Sequence, residues 1–215
     1  MWSFTSIIHP QHHPTKPIAL TMGNPEADRL KAMAAVQAMF EKYKLLAARR
    51  PKNHVDFDRE VMLNLELVDA TLDGTVTYEF FIAPNLSNLN NVMHGGAAGV
   101  IFDMSTTTAL CPLARPGFWE FMGGVTRTLN ISYLKAVPIN TRVRLNSKVV
   151  SIGKQMAMIR GDMTSLDRKI TYCTVEHHKV NAPVIKEHLD VKTAWDEEFA
   201  REWKAKGLED VKSKI

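Results

Sequence analysis

Between Gly95 and Leu110 the chain reads Gly-Gly-Ala-Ala-Gly-Val-Ile-Phe-Asp-Met-Ser-Thr-Thr-Thr-Ala-Leu, and Asp103 is the only charge in that run. A helix that is apolar on every side has no face to give to water, so other elements must enclose it. The flanking sequence supplies strands. The chain therefore reads as an α+β fold, an antiparallel β-sheet wrapped around one central helix over about 95–111.

The strand signals are local. Residues 61–72 and 75–82 are rich in strand formers, and Asp73-Gly74 between them is a strong hairpin signal. Residues 119–134 read as a long strand bent at Gly123-Gly124. Three more runs follow at 142–152, 155–166 and 169–181, jointed at Gly153-Lys154 and Asp167-Arg168 closely enough for a meander. The order is two strands, the helix, then four strands.

Helical extensions flank this unit. Pro25 opens a helix with Glu26 and Asp28 in its first turn, where acids suit the positive end of the dipole. Leu30, Met33, Val36 or Gln37, Phe40, Tyr43 and Leu46 form its apolar stripe, and Pro51 stops it. Val191, Trp195, Phe199 and Trp203 recur at spacings of four and mark a second amphipathic helix. The expected organisation is 1–59 leader and helix, 60–182 sheet domain, 183–215 helix and tail. The leader, 1–24, reads as irregular, and the residues after Gly207 read as frayed.

Composition narrows the partners. The net charge of +4 is mild and never gathers into a run of five or more Lys/Arg, which counts against nucleic acid. No stretch approaches the length of a membrane span. Cys111 and Cys173 lack metal-ligand spacing and are too few for a disulfide framework, which favours a reducing compartment. The expected location is the cytoplasm, with mitochondria as the alternative. His12-His13 and His177-His178 lack the i, i+4 spacing of a helical zinc site and are expected as exposed loop or strand-end residues. No metal is expected.

The chemistry concentrates at the start of the apolar helix. Asn88 and His94 lead into Gly95-Gly96. The first N–H groups of a helix have no partner within it and favour negative charge. A carboxylate on an apolar helix is costly to bury unpaired. Such a donor and such an acid together suit acyl chemistry. Nine residues of helix, however, put Asp103 about 13 Å along the axis from His94 and on the opposite face. One chain's Asp103 cannot easily serve a group held at its own Gly95. Two antiparallel helices would bring the two together, so the spacing argues for a homodimer if both residues serve one substrate. A tetramer is left open.

Asn88, His94-Gly95-Gly96, Asp103, Gly124-Val125-Thr126, Asn130-Ile-Ser-Tyr-Leu134 and the Gly153-Lys154 turn together resemble the hotdog-fold thioesterase superfamily, in its PaaI-like branch with the acyl-CoA thioesterase 13 proteins. The resemblance covers about 60–181. It implies an acyl-CoA thioesterase releasing free acid and coenzyme A at a homodimer interface. No cofactor is implied, coenzyme A entering as part of the substrate. By the same resemblance Gly95 N–H donates to the thioester oxygen, and Asn88 holds the carbonyl or the attacking water. His94 orients the thioester or stabilises the leaving thiolate. Asp103 is the catalytic carboxylate, as general base or nucleophile. Thr126 stands where relatives carry a Ser that orients water. Gly96, Thr128, Tyr133, Lys135, Gly153, Lys154, Gln155 and Met156 fall along the implied coenzyme A groove. The sequence departs there: Thr128 replaces an Asp, and Lys135-Ala136 replaces Ser-Pro. Read from the residues alone, each position also has a structural role: Asn88 as a cap, Gly95 and Gly96 as packing glycines, Asp103 paired by Thr106 or Thr107. The other functions weighed are a hotdog dehydratase or hydratase and a non-catalytic acyl-CoA-binding module.

Overall fold

In the computed structural model, residues 24–205 are described. The leader, apart from Asn24, and the end expected to fray after Gly207 lie outside them. Asn24 caps helix α1 (Pro25–Ala47), its Oδ1 accepting from Glu26 N–H at 3.1 Å. The buried face of α1 is carried by Ala32, Ala35, Val36, Met39 and Tyr43. Leu30, expected in the stripe, is exposed. The alanines let α1 lie close to the body, and that rotates the apolar stripe toward them.

Helix α2 (Arg59–Asn64) occupies the first residues of what reads as the opening strand. The strand signal of Val61 to Asn64 yields there to a single turn that buries Val61 and Met62. Strand β1 (Glu66–Thr71) then pairs with β2 (Thr75–Ile82) across Asp73-Gly74. Gly74 has φ +81°, and a Cβ there would lie 2.8 Å from Leu113 and Val149, so the hairpin signal has a direct steric basis. After helix α3 (Gly95–Thr107) the chain tightens into a 3₁₀ segment, Thr108–Leu113, ending the regular helix short of Cys111.

Strand β3 (Val125–Tyr133) begins six residues later than expected; Phe121–Gly123 is a 3₁₀ turn. Gly123 and Gly124 both have positive φ, and a Cβ on Gly124 would sit 2.1 Å from Val180 O. The pair swings the chain into the sheet where no side chain fits. Strands β4 (Thr141–Ile152), β5 (Met156–Ser165) and β6 (Thr171–Val180) form the expected meander. The antiparallel order is β1-β2-β4-β5-β6-β3.

The sheet's inner face presents Val76, Tyr78, Phe80, Val143, Leu145, Ile159 and Met163, all fully buried, to Ala98, Ile101 and Phe102 of α3. Each such large side chain contributes about 1.5–3 kcal/mol by leaving water. The wrapping is incomplete: Gly96, Gly99, Val100 and Asp103 on one side of α3 line an open cleft with Phe57 and Leu129. Beside it β3 is an edge strand exposed along most of its length. After a single turn, α4 (Lys186–Leu189), helix α5 (Ala194–Ala205) docks on α1 through the Lys42–Asp196 pair at 2.9 Å and stacks Trp195 on Phe199.

Candidate active site

His94 is the N-cap of α3. Its Nδ1 accepts from Gly96 N–H at 2.9 Å, and its carbonyl accepts from Ala97 N–H at 3.0 Å. Nδ1 is therefore unprotonated, which places the neutral ring's hydrogen on Nε2. Gly95 N–H has no acceptor among the described residues. The cap thus fills the second donor of the helix and leaves the first one open. Tyr133 at the end of β3 fixes this turn by donating to Gly95 O at 2.7 Å. Asn88, Gly95, Tyr133 and Lys135 line one cleft. Asn88 Oδ1 accepts from Asn90 N–H at 2.8 Å, so its loop-capping role is real. Its NH₂ group has no protein acceptor among the described residues.

Asp103 opens instead into the cleft with Gly96 and Gly99. Thr126 Oγ1 donates to Asp103 Oδ1 at 2.8 Å, in place of the Thr106 or Thr107 that the sequence suggested. Thr126 Oγ1 also lies 3.0 Å from His177 Nε2, and His177 Nδ1 lies 2.6 Å from Thr106 Oγ1. The proton of Thr126 is committed to the carboxylate, so its lone pair accepts from His177 Nε2–H. Nδ1 then competes with Phe102 O, 2.5 Å from Thr106 Oγ1, for the one Thr106 proton. The result is a chain of polar contacts running Thr106, His177, Thr126, Asp103.

His177 is fully buried in the middle of β6, which corrects the expectation of an exposed histidine. Burial holds its basicity well below the ordinary imidazole value, and Lys179 beside it lowers it further. Lys179 is itself 3% exposed and donates to Thr107 Oγ1 at 2.9 Å. Burial pushes its ammonium down to about 8, against an opposing attraction from Asp103. From the sequence alone Lys179 has no role, His177 is expected only as an exposed histidine, and Thr106 enters only as a partner of Asp103. Their signal was parity: 177 and 179 share the side of β6 that carries Cys173 and Val175.

The remaining candidates fall into two groups. A bulge between Thr126 and Thr128 pairs Thr126 with Lys179 but Thr128 with His178, so Thr128 faces away from Asp103. Gly153, Lys154, Gln155 and Met156 form the β4–β5 turn, with Gly153 N–H donating to Met156 O at 2.8 Å. Gly153 O accepts from Trp119 Nε1 at 2.7 Å. This turn lies by Val180, whereas Tyr133 pairs with Cys173 at the other end of β6. Within one chain, then, Gly95 with Tyr133 and Lys135 stands apart from Asp103, and Lys135 stands apart from Lys154. Both lysines are exposed. Of the aromatics near the site, Trp119 and Phe121 line a cavity of about 90 Å³ together with Lys42 and Asp196. Among the described residues no cluster of His, Cys, Asp and Glu could hold a metal ion. No helix among them is long and apolar enough to cross a membrane.

Residues 90–172, from just before His94 to the start of β6, match the thioesterase superfamily. No curated protein sequence matches the chain. Among solved structures, zebrafish thioesterase superfamily member 2 superposes with a TM-score of 0.56 at 21% identity, over 70% of this chain and 98% of that one. The Mus musculus member 2 gives 0.55 at 21%, over 68% and 97%. The PaaI protein of the E. coli phenylacetic acid degradation operon gives 0.51 at 12%, over 69% and 96%. These likenesses carry the fold. The chain has a hotdog fold, and its residues 90–172 match the model of the thioesterase superfamily.

Proposed function

We propose that the protein is an acyl-CoA thioesterase with its site shared between two copies. The carrying observation is Asp103: a partly exposed carboxylate, held by Thr126 at 2.8 Å, on a helix whose first N–H is open. A thioester carbonyl placed on Gly95 N–H gains a fixed donor for the oxyanion that forms as water adds. Loss of one such donor typically costs about 100-fold or more. Asn88 NH₂ supplies a second donor to the same oxygen or to the water. Asp103 of the other copy takes the proton from that water while Thr126 keeps the carboxylate turned toward it. The tetrahedral intermediate collapses, the C–S bond breaks, and the thiolate leaves beside His94 Nε2–H. The proton on Asp103 then returns to solvent or to the thiolate. A nucleophilic Asp103 would instead form an acyl anhydride. Single turnover in H₂¹⁸O separates the two, because only the anhydride route leaves label in the protein's own carboxylate.

Two copies are supported by two separations that one operation closes. Antiparallel pairing of β3 with its counterpart would lay the Val125 end of one strand beside the Tyr133 end of the other. Asp103 then meets Gly95, and the Gly153-Lys154 turn meets Tyr133 and Lys135, whose cations suit the phosphates of coenzyme A. The exposed edge strand and the open face of α3 are the surfaces that such a dimer covers. We assign catalysis to 60–182, which 1–59 and 183–215 flank in sequence, and the protein to the cytoplasm. The reaction needs no cofactor.

The test is thiol release from acyl-CoAs by wild type, Asp103→Asn and Asn88→Ala. Each variant alone is expected to lose most activity. Mixed and refolded together, they regain about a quarter of the wild-type rate, because half the dimers are mixed and each holds one intact site. No recovery would place both residues in one chain's site. Hydration of an enoyl-CoA without thiol release would favour a dehydratase, and binding without turnover a non-catalytic module.

A further inference from the structure

Lys179 is the most costly group in the core that the chemistry above leaves unused. It sits on β6 two residues beyond His177, on the same face, and is the register partner of Thr126. Among the described residues it makes no ion pair, and its ammonium donates to Thr107 Oγ1. A neutral side chain could satisfy that hydroxyl without the penalty of burying an ammonium. The charge therefore has a use beyond the hydrogen bond.

We propose, resting on the thioesterase reading, that Lys179 is a positioning residue whose buried ammonium, fixed on Thr107, keeps His177 from carrying a proton and so leaves Asp103 free to take one from water. The reasoning is electrostatic. The groups that face His177 are Asp103 from α3 and Lys179 and His178 from its own strand. Its neighbours on β3 and β5, Leu129 and Ile159, carry no charge. Lys179 faces Asp103 and Cys111, with Thr126 and Ala157 beside it. Burial pushes the Cys111 thiol up to about 12, so it brings no negative charge near neutrality. Burial is the first cause that keeps His177 neutral; among the charges, Asp103 favours an imidazolium there, and Lys179 and then His178 oppose it. Without the ammonium, His177 would charge at higher pH and lie as a cation one hydroxyl away from Asp103. A carboxylate paired in that way is a weaker base.

The competing account is structural: Lys179 lies at the last residue of α3, where a cation suits the dipole. Lys179→Met and Lys179→Gln separate the two. Gln retains a donor for Thr107 but no charge, and it stands in if Met fails to fold. His177 is followed by NMR titration in ¹⁵N-histidine-labelled protein, its resonance assigned by its absence in His177→Gln. Both variants are expected to raise the midpoint of His177 by about one pH unit. The acid limb of kcat/KM for acyl-CoA hydrolysis is expected to move up by the same amount, with KM unchanged. An unmoved His177 midpoint overturns the electrostatic coupling. A moved midpoint with an unmoved acid limb overturns the link to the reaction. If wild type releases no thiol, the thioesterase reading fails while the titration still decides the coupling.

Discussion

Replacing Thr126 with Val removes one oxygen and keeps the shape of the side chain. That oxygen donates to Asp103 at 2.8 Å and meets His177 Nε2 at 3.0 Å. A hydrogen bond to a charged group is worth about 1.5–3 kcal/mol. The Asp103 side chain is 32% exposed, so water can replace part of the donor, and the low end of that range applies. If the loss falls on the orientation of the base in the transition state, about 1.4–2 kcal/mol corresponds to a 10–30-fold drop in kcat with KM little changed. His177 cannot be rescued by water, because it is fully buried. Leaving its Nε2–H unpaired costs about 1–3 kcal/mol of stability, about 2–12 °C in Tm for a chain of this size. Thr126→Ser retains the oxygen and is expected to keep kcat within about threefold. The assay is steady-state thiol release with thermal unfolding in parallel. A Val variant with the wild-type kcat and Tm would refute the donor chain from His177 to Asp103.

His94→Asn keeps a side chain able to cap Gly96 N–H, so α3 should retain its stability, whereas His94→Ala should lose about 1 kcal/mol in urea unfolding. Both remove the ring Nε2–H beside the leaving thiolate, and both should lower kcat. Acid should destabilise the fold through His177. The folded chain resists protonating it while the unfolded chain binds that proton near pH 6.5, so its contribution is complete above that pH. It is lost as pH falls below it, by up to about 1.4 kcal/mol per pH unit. Urea unfolding of wild type and His177→Gln between pH 5 and 8 should show the flatter slope in the variant.

Much of the fold was legible because its causes are local. Asp73-Gly74 makes its own turn, and the run around Asp103 can only be an enclosed helix. The β4–β6 meander follows from short polar joints. Residues 61–64 misled because they lie inside a short helix that buries Val61 and Met62, a choice made by tertiary burial and not by propensity. The site was legible in its parts, through a motif, and illegible in its wiring. Asp103, Thr126 and His177 are 23 and 51 positions apart, and no pattern along one chain says that they touch.

His177-His178 shows what a stricter reading could have extracted. Along β6, Cys173 and Val175 fix which parity faces the core, and the strand alternation then carries His177 and Lys179 inward and Glu176 and His178 outward. An adjacent pair of histidines on a strand cannot both be exposed when one side is buried. The pattern therefore puts an imidazole and an ammonium at core positions, against every hydrophobic preference. A chain tolerates that cost where the groups have partners, and here the partners lie on α3 and β3, at the turn that carries Asp103. Polar residues at core parity on a strand packed against an acid-bearing helix mark the interior of the candidate site. The same alternation that builds the sheet delivers them to it.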